Sequence, residues 1–278
     1  MTTLPVYDSA QPRRPLLTEF RSLWSHRGLI RLLVARDLTV RYKRSVLGVW
    51  WTLLNPLLTT GIMWVVFGEL FGGRFGTTEG EPYLLYLLAG ILLMTFFSQA
   101  ILATGAAITG ASSILSKVYV PAEVFAFAAS VAGAANFVIS LVPLLLIQVF
   151  TGHGIPWTAL LVPIPTLAML ALVTGLGMLV AAAATFFYDV LDLTRVGVQL
   201  LSYLTPVFWP LAIVPDRFLS FVKANPLFSY FDVFRAYMYR GEMVPAWELA
   251  VVSATALAAL ALGVWAFSRA WRNLVSRI

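Results

Sequence analysis

The 278 residues include no cysteine. Disulfides, thiolate metal sites and cysteine nucleophiles are therefore excluded together, and the redox compartment is unreadable from this residue. Charge is nearly as scarce: Asp, Glu, Lys and Arg make up 12% of the chain, against about a quarter in soluble domains. Histidine occurs only at 26 and 153, too few for an imidazole-built metal site, and each reads as a loop or interfacial residue. No Gly-Lys pair occurs anywhere. That removes the phosphate loop G-x-x-x-x-G-K-[ST], whose glycine amides and lysine hold nucleotide phosphates. No Asp, Glu, Lys or Arg falls in 46–68, 82–116 or 124–188, where His153 is the one exception to a lack of ionic groups. Ion- and proton-coupled carriers place acids, bases or histidines inside the membrane, so a secondary transporter is not expected.

What remains is overwhelmingly apolar. Hydrophobic residues fill 60% of positions and the mean hydropathy is +0.85, which marks an integral membrane protein. Six segments carry the pattern: 46–68, 83–109, 125–150, 158–187, 196–212 and 249–268. The first has 23 residues without a charge, about 35 Å of helix and enough to cross a hydrocarbon layer of ~30 Å. Pro156, Pro163 and Pro165 open the fourth, where proline suits the start of a helix. The fifth holds Pro206 and Pro210, with Pro215 just beyond. It is expected either to break under the cover of other protein or to cross as a kinked helix. Residues 1–44 lack the apolar core and cleavage site of a secretory signal, so the first span is expected to remain in the mature chain. The expected fold is all-α, with a cytoplasmic tail and interfacial helix over 1–45, a six-span domain over 46–268 and a basic tail over 269–278.

Orientation follows from the cations. Residues 1–44 carry nine Arg and Lys against three acids, and the tail "SRAWRNLVSRI" adds three arginines and no acid. Both termini are therefore expected in the cytoplasm, which an even number of spans satisfies. On the outer side, Arg74, Arg217, Lys223, Arg235 and Arg240 face seven acids. Small residues crowd the spans, and Gly177 and Ala181 have the spacing of a close helix contact, for which internal packing is the simplest use.

Near the N-terminus, Leu16, Leu17, Phe20, Leu23 and Trp24 share one side of a helical wheel. This suits a helix lying along a membrane surface, which Gly28 is expected to end. The continuation to Arg44 is densely basic and feeds into Trp50 and Trp51, placed as an interfacial aromatic belt. The stretch "LLVARDLTVRYKRSVLGVWWTLLNPLL" combines an Arg-Asp pair, an Arg-Tyr-Lys run, Ser-x-Leu-Gly, tryptophan and Leu-x-Pro. It closely resembles the opening signature of ABC-2 type permeases that export polysaccharides. "SILSKVYVPAEVF" and "VPDRFLSFVKANPLFSYFDVFRAYMYRG" resemble that family's cytoplasmic segment after the second span and its external segment before the last. The likeness covers nearly the whole chain and is specific to the family, not to one substrate.

The resemblance implies the permease half of an ATP-driven exporter in the bacterial cytoplasmic membrane. It would work as a homodimer with two copies of a cytosolic ABC ATPase that binds ATP and magnesium, this chain itself holding no cofactor. It also implies that Arg36, Asp37, Arg41, Lys43 and Arg44 lie near the ATPase contact. Ser116 to Pro121 would form a coupling element presenting Lys117 and Tyr119.

Aromatic rings stack on sugar faces, so Trp50, Trp51, Trp64, Phe67, Tyr203, Phe208 and Trp209 are candidate channel residues, with membrane anchoring as the simpler use of each. The segment 213–239 reads as short amphipathic helices, with Phe221, Phe228, Tyr230, Phe231 and Phe234 available to rest on the membrane. By resemblance Phe228 and Tyr230 belong to an external gate, against a purely structural cap. The substrate class expected is a lipid-linked polysaccharide such as an O-antigen, teichoic acid or cell-wall galactan; the rival is an ABC-2 exporter of drugs or lipids. Asp189 and Asp192 suggest a metal-dependent lipid-sugar enzyme only if a third ligand or base lies nearby.

Overall fold

The computed structural model describes residues 24–43, 48, 50–70, 82–111, 120–187 and 189–274, without the side chains of 41, 42, 69, 70 and 271–274. Among the described residues the fold is all-helical. The helices are α1 (Arg27–Lys43), α2 (Trp50–Trp64), α3 (Tyr83–Gly110), α4 (Ala122–Phe150), α5 (Pro163–Ala184), α6 (Val190–Leu204), α7 (Asp216–Ala224), α8 (Pro226–Arg235) and α9 (Ala246–Leu274). Single π-helical turns continue α2 over Val65–Leu70 and α8 over Ala236–Arg240. Among the described residues five helices are long and apolar enough to cross a membrane: Trp50–Gly68, Tyr83–Gly110, Ala122–Phe150, Trp157–Ala184 and Ala246–Ala270.

α3 is the central post. It is apolar on every side, as a helix surrounded by other helices should be, and Leu85, Leu87, Leu88 and Ala89 are fully buried. α4 and α5 pack along it, and α9 packs along α5. Gly175 of α5 sits against the backbone of Ala259, and Gly263 of α9 sits against the backbone of Gly175. No side chain fits between these two helices. Gly177 faces Thr104 of α3, where an added Cβ would lie 2.5 Å from the threonine Cβ, so this small-residue position serves packing inside the chain. Several hydroxyls in the spans are satisfied locally: Ser140, Thr166 and Thr255 each donate to the carbonyl four residues earlier, at 2.7–2.8 Å. Val138, Val142, Leu146 and Val149 form an exposed apolar stripe down α4, the kind of face that lipid covers.

Three expectations change, and the fifth segment takes one of its two expected courses. Gly28 lies in the first turn of α1 and does not end a helix; the residues expected on the apolar side of a preceding surface helix at 16, 17, 20 and 23 lie outside the described residues. The basic helix is not one rod with the first span, because Gly48, between α1 and α2, has a left-handed φ of 48°. The fifth segment is a helix of 15 residues that ends at Leu204, ahead of Pro206, and is followed by irregular backbone to Pro210. Finally, Tyr230, Phe231 and Phe234 do not rest on a membrane but are buried in the core, and Arg235, counted as an outer-surface cation, is buried with them at 4% exposure. The reason is that α8 is inserted between α3, α5 and α9: the Tyr230 hydroxyl donates to the Val252 carbonyl at 2.8 Å, and the Phe234 ring packs 5.7 Å from that of Phe137. Asn225 caps α8 by accepting from the Leu227 amide at 3.0 Å, with Pro226 in the first turn. Its other end folds back, Arg240 pairing with Asp232 at 2.7 Å.

Candidate functional site

A groove of about 380 Å³ runs between α2, α3 and α6. Its polar lining comes in pairs three or four residues apart on each helix: Asn55 and Thr59, Thr95 and Ser98, Gln199 and Ser202. That spacing stacks them in rows along the helix axes. Arg195 continues the α6 row and is the one charged residue among the described residues lining the groove. It pairs with Asp192 at 2.5 Å, both side chains well exposed. Ser98 donates to the Thr95 carbonyl at 3.1 Å and Ser202 to the Gln199 carbonyl at 2.6 Å, so these hydroxyls are satisfied within their own helices and able to exchange partners with a hydroxylated ligand. A recess of about 200 Å³ shares Asn55, Pro56 and Thr95 and adds Thr52, Gln99, Asn136 and Ser140. There Thr52 donates to the Asn136 side-chain oxygen at 3.3 Å, tying α2 to α4. The surface is neutral and rich in hydroxyl and amide groups, with a cation at one end.

The opposite end of the groove is walled by Val207 and Phe208, in the irregular stretch after α6. Four successive carbonyls there are all taken by side chains. Tyr86 of α3 contacts those of Pro206 and Trp209 at 2.8 Å each, Tyr83 donates to that of Phe208 at 2.7 Å, and Arg235 of α8 donates to that of Val207 at 3.4 Å. The same guanidinium lies 3.5 Å from the centre of the Tyr86 ring. Non-helical backbone inside a membrane bundle survives only when such partners replace the helical ladder.

Of the predicted channel aromatics, Phe208 lines the groove and Trp51 the recess. Trp50, Trp64 and Tyr203 are exposed on the outside of α2 and α6, while Phe67 and Phe228 are half-buried. Trp209 is half-buried and donates to the Tyr203 carbonyl at 3.3 Å. Tyr230 is fully buried. Of the predicted coupling residues, Arg36 and Asp37 pair with each other at 2.9 Å on α1, Lys43 is exposed at its end and Pro121 directly precedes α4. Arg41 lies in α1 but its side chain, like Arg44, Ser116, Lys117 and Tyr119, is outside the described residues. Leu33 of α1 packs with Val124, Phe125 and Ala128 of α4, and Ala111 and Val120, which flank 112–119, join that cluster. α1 and the described residues on either side of 112–119 are thus neighbours at one end of the bundle. Sequence reasoning missed Asn55, Thr59, Thr95, Ser98, Gln199 and Ser202; the available signal was their helical spacing on otherwise apolar segments.

The profile of the ABC-2 type transporter family matches residues 28–239, from α1 through the π turn after α8. The chain belongs to the ABC-2 type transporter family. This ABC-2 chain is 28% identical over 250 residues to the O-antigen export system permease protein RfbA of Myxococcus xanthus, covering 89% of this chain and 93% of that protein. It is 24% identical over 203 residues to the O-antigen export system permease protein RfbA of Klebsiella pneumoniae, covering 72% and 76%. It is also 24% identical over 195 residues to the inner membrane transport permease YadH of Escherichia coli K12, covering 66% and 74%. The ABC-2 chain is accordingly a multi-pass membrane transport subunit.

Proposed function

We propose that the chain is the permease subunit of an ATP-driven exporter that moves a lipid-linked cell-surface polysaccharide, of the O-antigen, teichoic acid or galactan kind, across the bacterial cytoplasmic membrane. The observation that carries this reading is the similarity to an O-antigen export permease across 89% of this chain and 93% of its relative. The neutral hydroxyl and amide rows of the groove suit a glycan that must slide without being held, because each sugar hydroxyl exchanges one hydrogen bond for another of similar strength. Arg195 at one end suits the phosphate that joins glycan to lipid. In this reading the chain crosses the membrane six times with both termini in the cytoplasm, α6 and the irregular segment after it forming the broken fifth span. It pairs with a second copy and with two copies of a cytosolic ABC ATPase, which bind ATP and magnesium. Residues 116–121 and the basic α1 meet that ATPase.

Deleting the chain in its own host tests this directly. The expected result is loss of a surface polysaccharide with its lipid-linked precursor accumulating inside, restored by the intact chain. Unchanged surface glycan after deletion overturns the reading.

A further inference from the structure

We propose that Arg235, with Tyr83 and Tyr86, forms a clasp that seals one end of the groove, and that Arg235 is the positioning residue whose withdrawal opens it. The inference goes beyond the substrate reading above and takes from it only the orientation, in which this end faces outward.

Arg235 is an expensive residue in its place. It is 4% exposed, no carboxylate pairs with it among the described residues, and its Nε has no hydrogen-bond partner there. An unpaired cation inside a bundle costs stability that apolar packing would not, so burial alone does not account for an arginine. Its partners are the Tyr86 ring, at 3.5 Å, the Phe231 ring, at 5.8 Å, and the carbonyls of Tyr86 and Val207, at 3.3 and 3.4 Å. Both hydrogen bonds are at the long end of the range and are readily exchanged. Space for the guanidinium is made by Gly90, where an added Cβ would lie 2.6 Å from Nη2 and 2.9 Å from the Val207 oxygen.

The backbone that Arg235 holds is also the groove wall. Val207 and Phe208 line the groove, while their carbonyls are held by Arg235 and Tyr83. Arg235 belongs to α8, which packs against α7 and is joined to the end of α6 by the Asn225 amide donating to Thr205 at 3.0 Å. A shift of the α7–α8 pair therefore draws the cation off the Val207 carbonyl and frees the wall in one movement. The cation–ring contact supplies the holding force, and the absence of a carboxylate partner among the described residues keeps that force breakable.

The lack of native cysteine provides the test. Ser202→Cys places one thiol in the groove, and Thr151→Cys places a reference thiol in the exposed turn after α4. In intact cells carrying the permease with its ATPase, a membrane-impermeant maleimide labels Thr151→Cys in every background and Ser202→Cys slowly in the parent. Arg235→Gln and Tyr86→Phe are expected to speed Ser202→Cys labelling roughly tenfold, the shift produced by losing one or two hydrogen bonds that hold the closed form. Arg235→Lys, which keeps the charge but not the planar stack, is expected to fall between. Unchanged labelling in Arg235→Gln and Tyr86→Phe at normal membrane levels overturns the clasp, and so does rapid labelling of the parent. If neither variant reaches the membrane, the clasp is a folding element and the proposal is likewise overturned. The labelling measures no glycan, so a failed export assay alongside the expected labelling sinks the substrate reading and leaves the clasp standing.

Discussion

Replacing Gly90 with alanine adds one methyl group to the middle of the clasp. The new Cβ lies 2.6 Å from Arg235 Nη2 and 2.9 Å from the Val207 oxygen, against ordinary contacts of about 3.5 Å. The guanidinium must retreat by nearly an ångström, which takes its 3.3 and 3.4 Å hydrogen bonds out of range. Hydrogen bonds to a charged group contribute about 1.5–3 kcal/mol each at good geometry; at these lengths the pair is worth about 2–3 kcal/mol together. Overpacking adds ~1 kcal/mol or more, and the better helix propensity of alanine returns up to ~1 kcal/mol. The net expected loss is about 2–3 kcal/mol, a fall of roughly 4–10 °C in melting midpoint for a chain of this size. Tryptophan fluorescence of the purified complex during heating reads this, with Gly110→Ala as the control, since nothing lies within 4 Å of a Cβ at that glycine. Gly110→Ala is expected to melt at or slightly above the parent. A Gly90→Ala protein as stable as the control would refute the account of why that glycine is there.

Three further outcomes are expected. Gly175→Val forces α5 away from α9, whose backbone lies directly against it, so the variant should fail to accumulate in the membrane by immunoblot while Gly110→Val accumulates normally. Arg195→Gln removes the cation lining the groove and should raise the lipid-linked glycan concentration needed for half-maximal transport about fivefold to tenfold, with Arg195→Lys restoring most of it; an unchanged value excludes Arg195 from substrate contact. Lys117→Glu combined with Arg41→Glu should weaken co-purification of the ATPase and lower transport together, and intact association with intact transport would remove these residues from the coupling contact.

Much of the fold was legible because its cause is local. A run such as 83–109 has no charge to bring it to water, and the helix found, Tyr83–Gly110, departs from it by one residue at its end. The stop in the fifth segment was legible for a similar reason, since Pro206 opposes a helix continuing through its own position. Other features depended on long-range contacts. The aromatic run around Tyr230 and Phe234 has the pattern of a surface helix, and only its insertion between α3, α5 and α9 turns that face inward. Arg235 looked like one more outer cation because nothing in its neighbourhood reveals Tyr86 and Gly90, some 150 residues away in the chain. For the same reason most of the aromatic residues drew attention to the groove's surroundings, while its polar lining is mainly hydroxyls and amides whose juxtaposition across α2, α3 and α6 no single segment encodes.

The most direct measurement places the purified chain in vesicles, with and without its ATPase, and follows a lipid-linked glycan across the bilayer. Movement that requires both chains and hydrolysable ATP, and that follows the glycan lipid rather than the bare carrier lipid, is the result expected. Nucleotide hydrolysis or uphill transport by the chain alone, or a stably assembled pair that moves no glycan, would contradict the account.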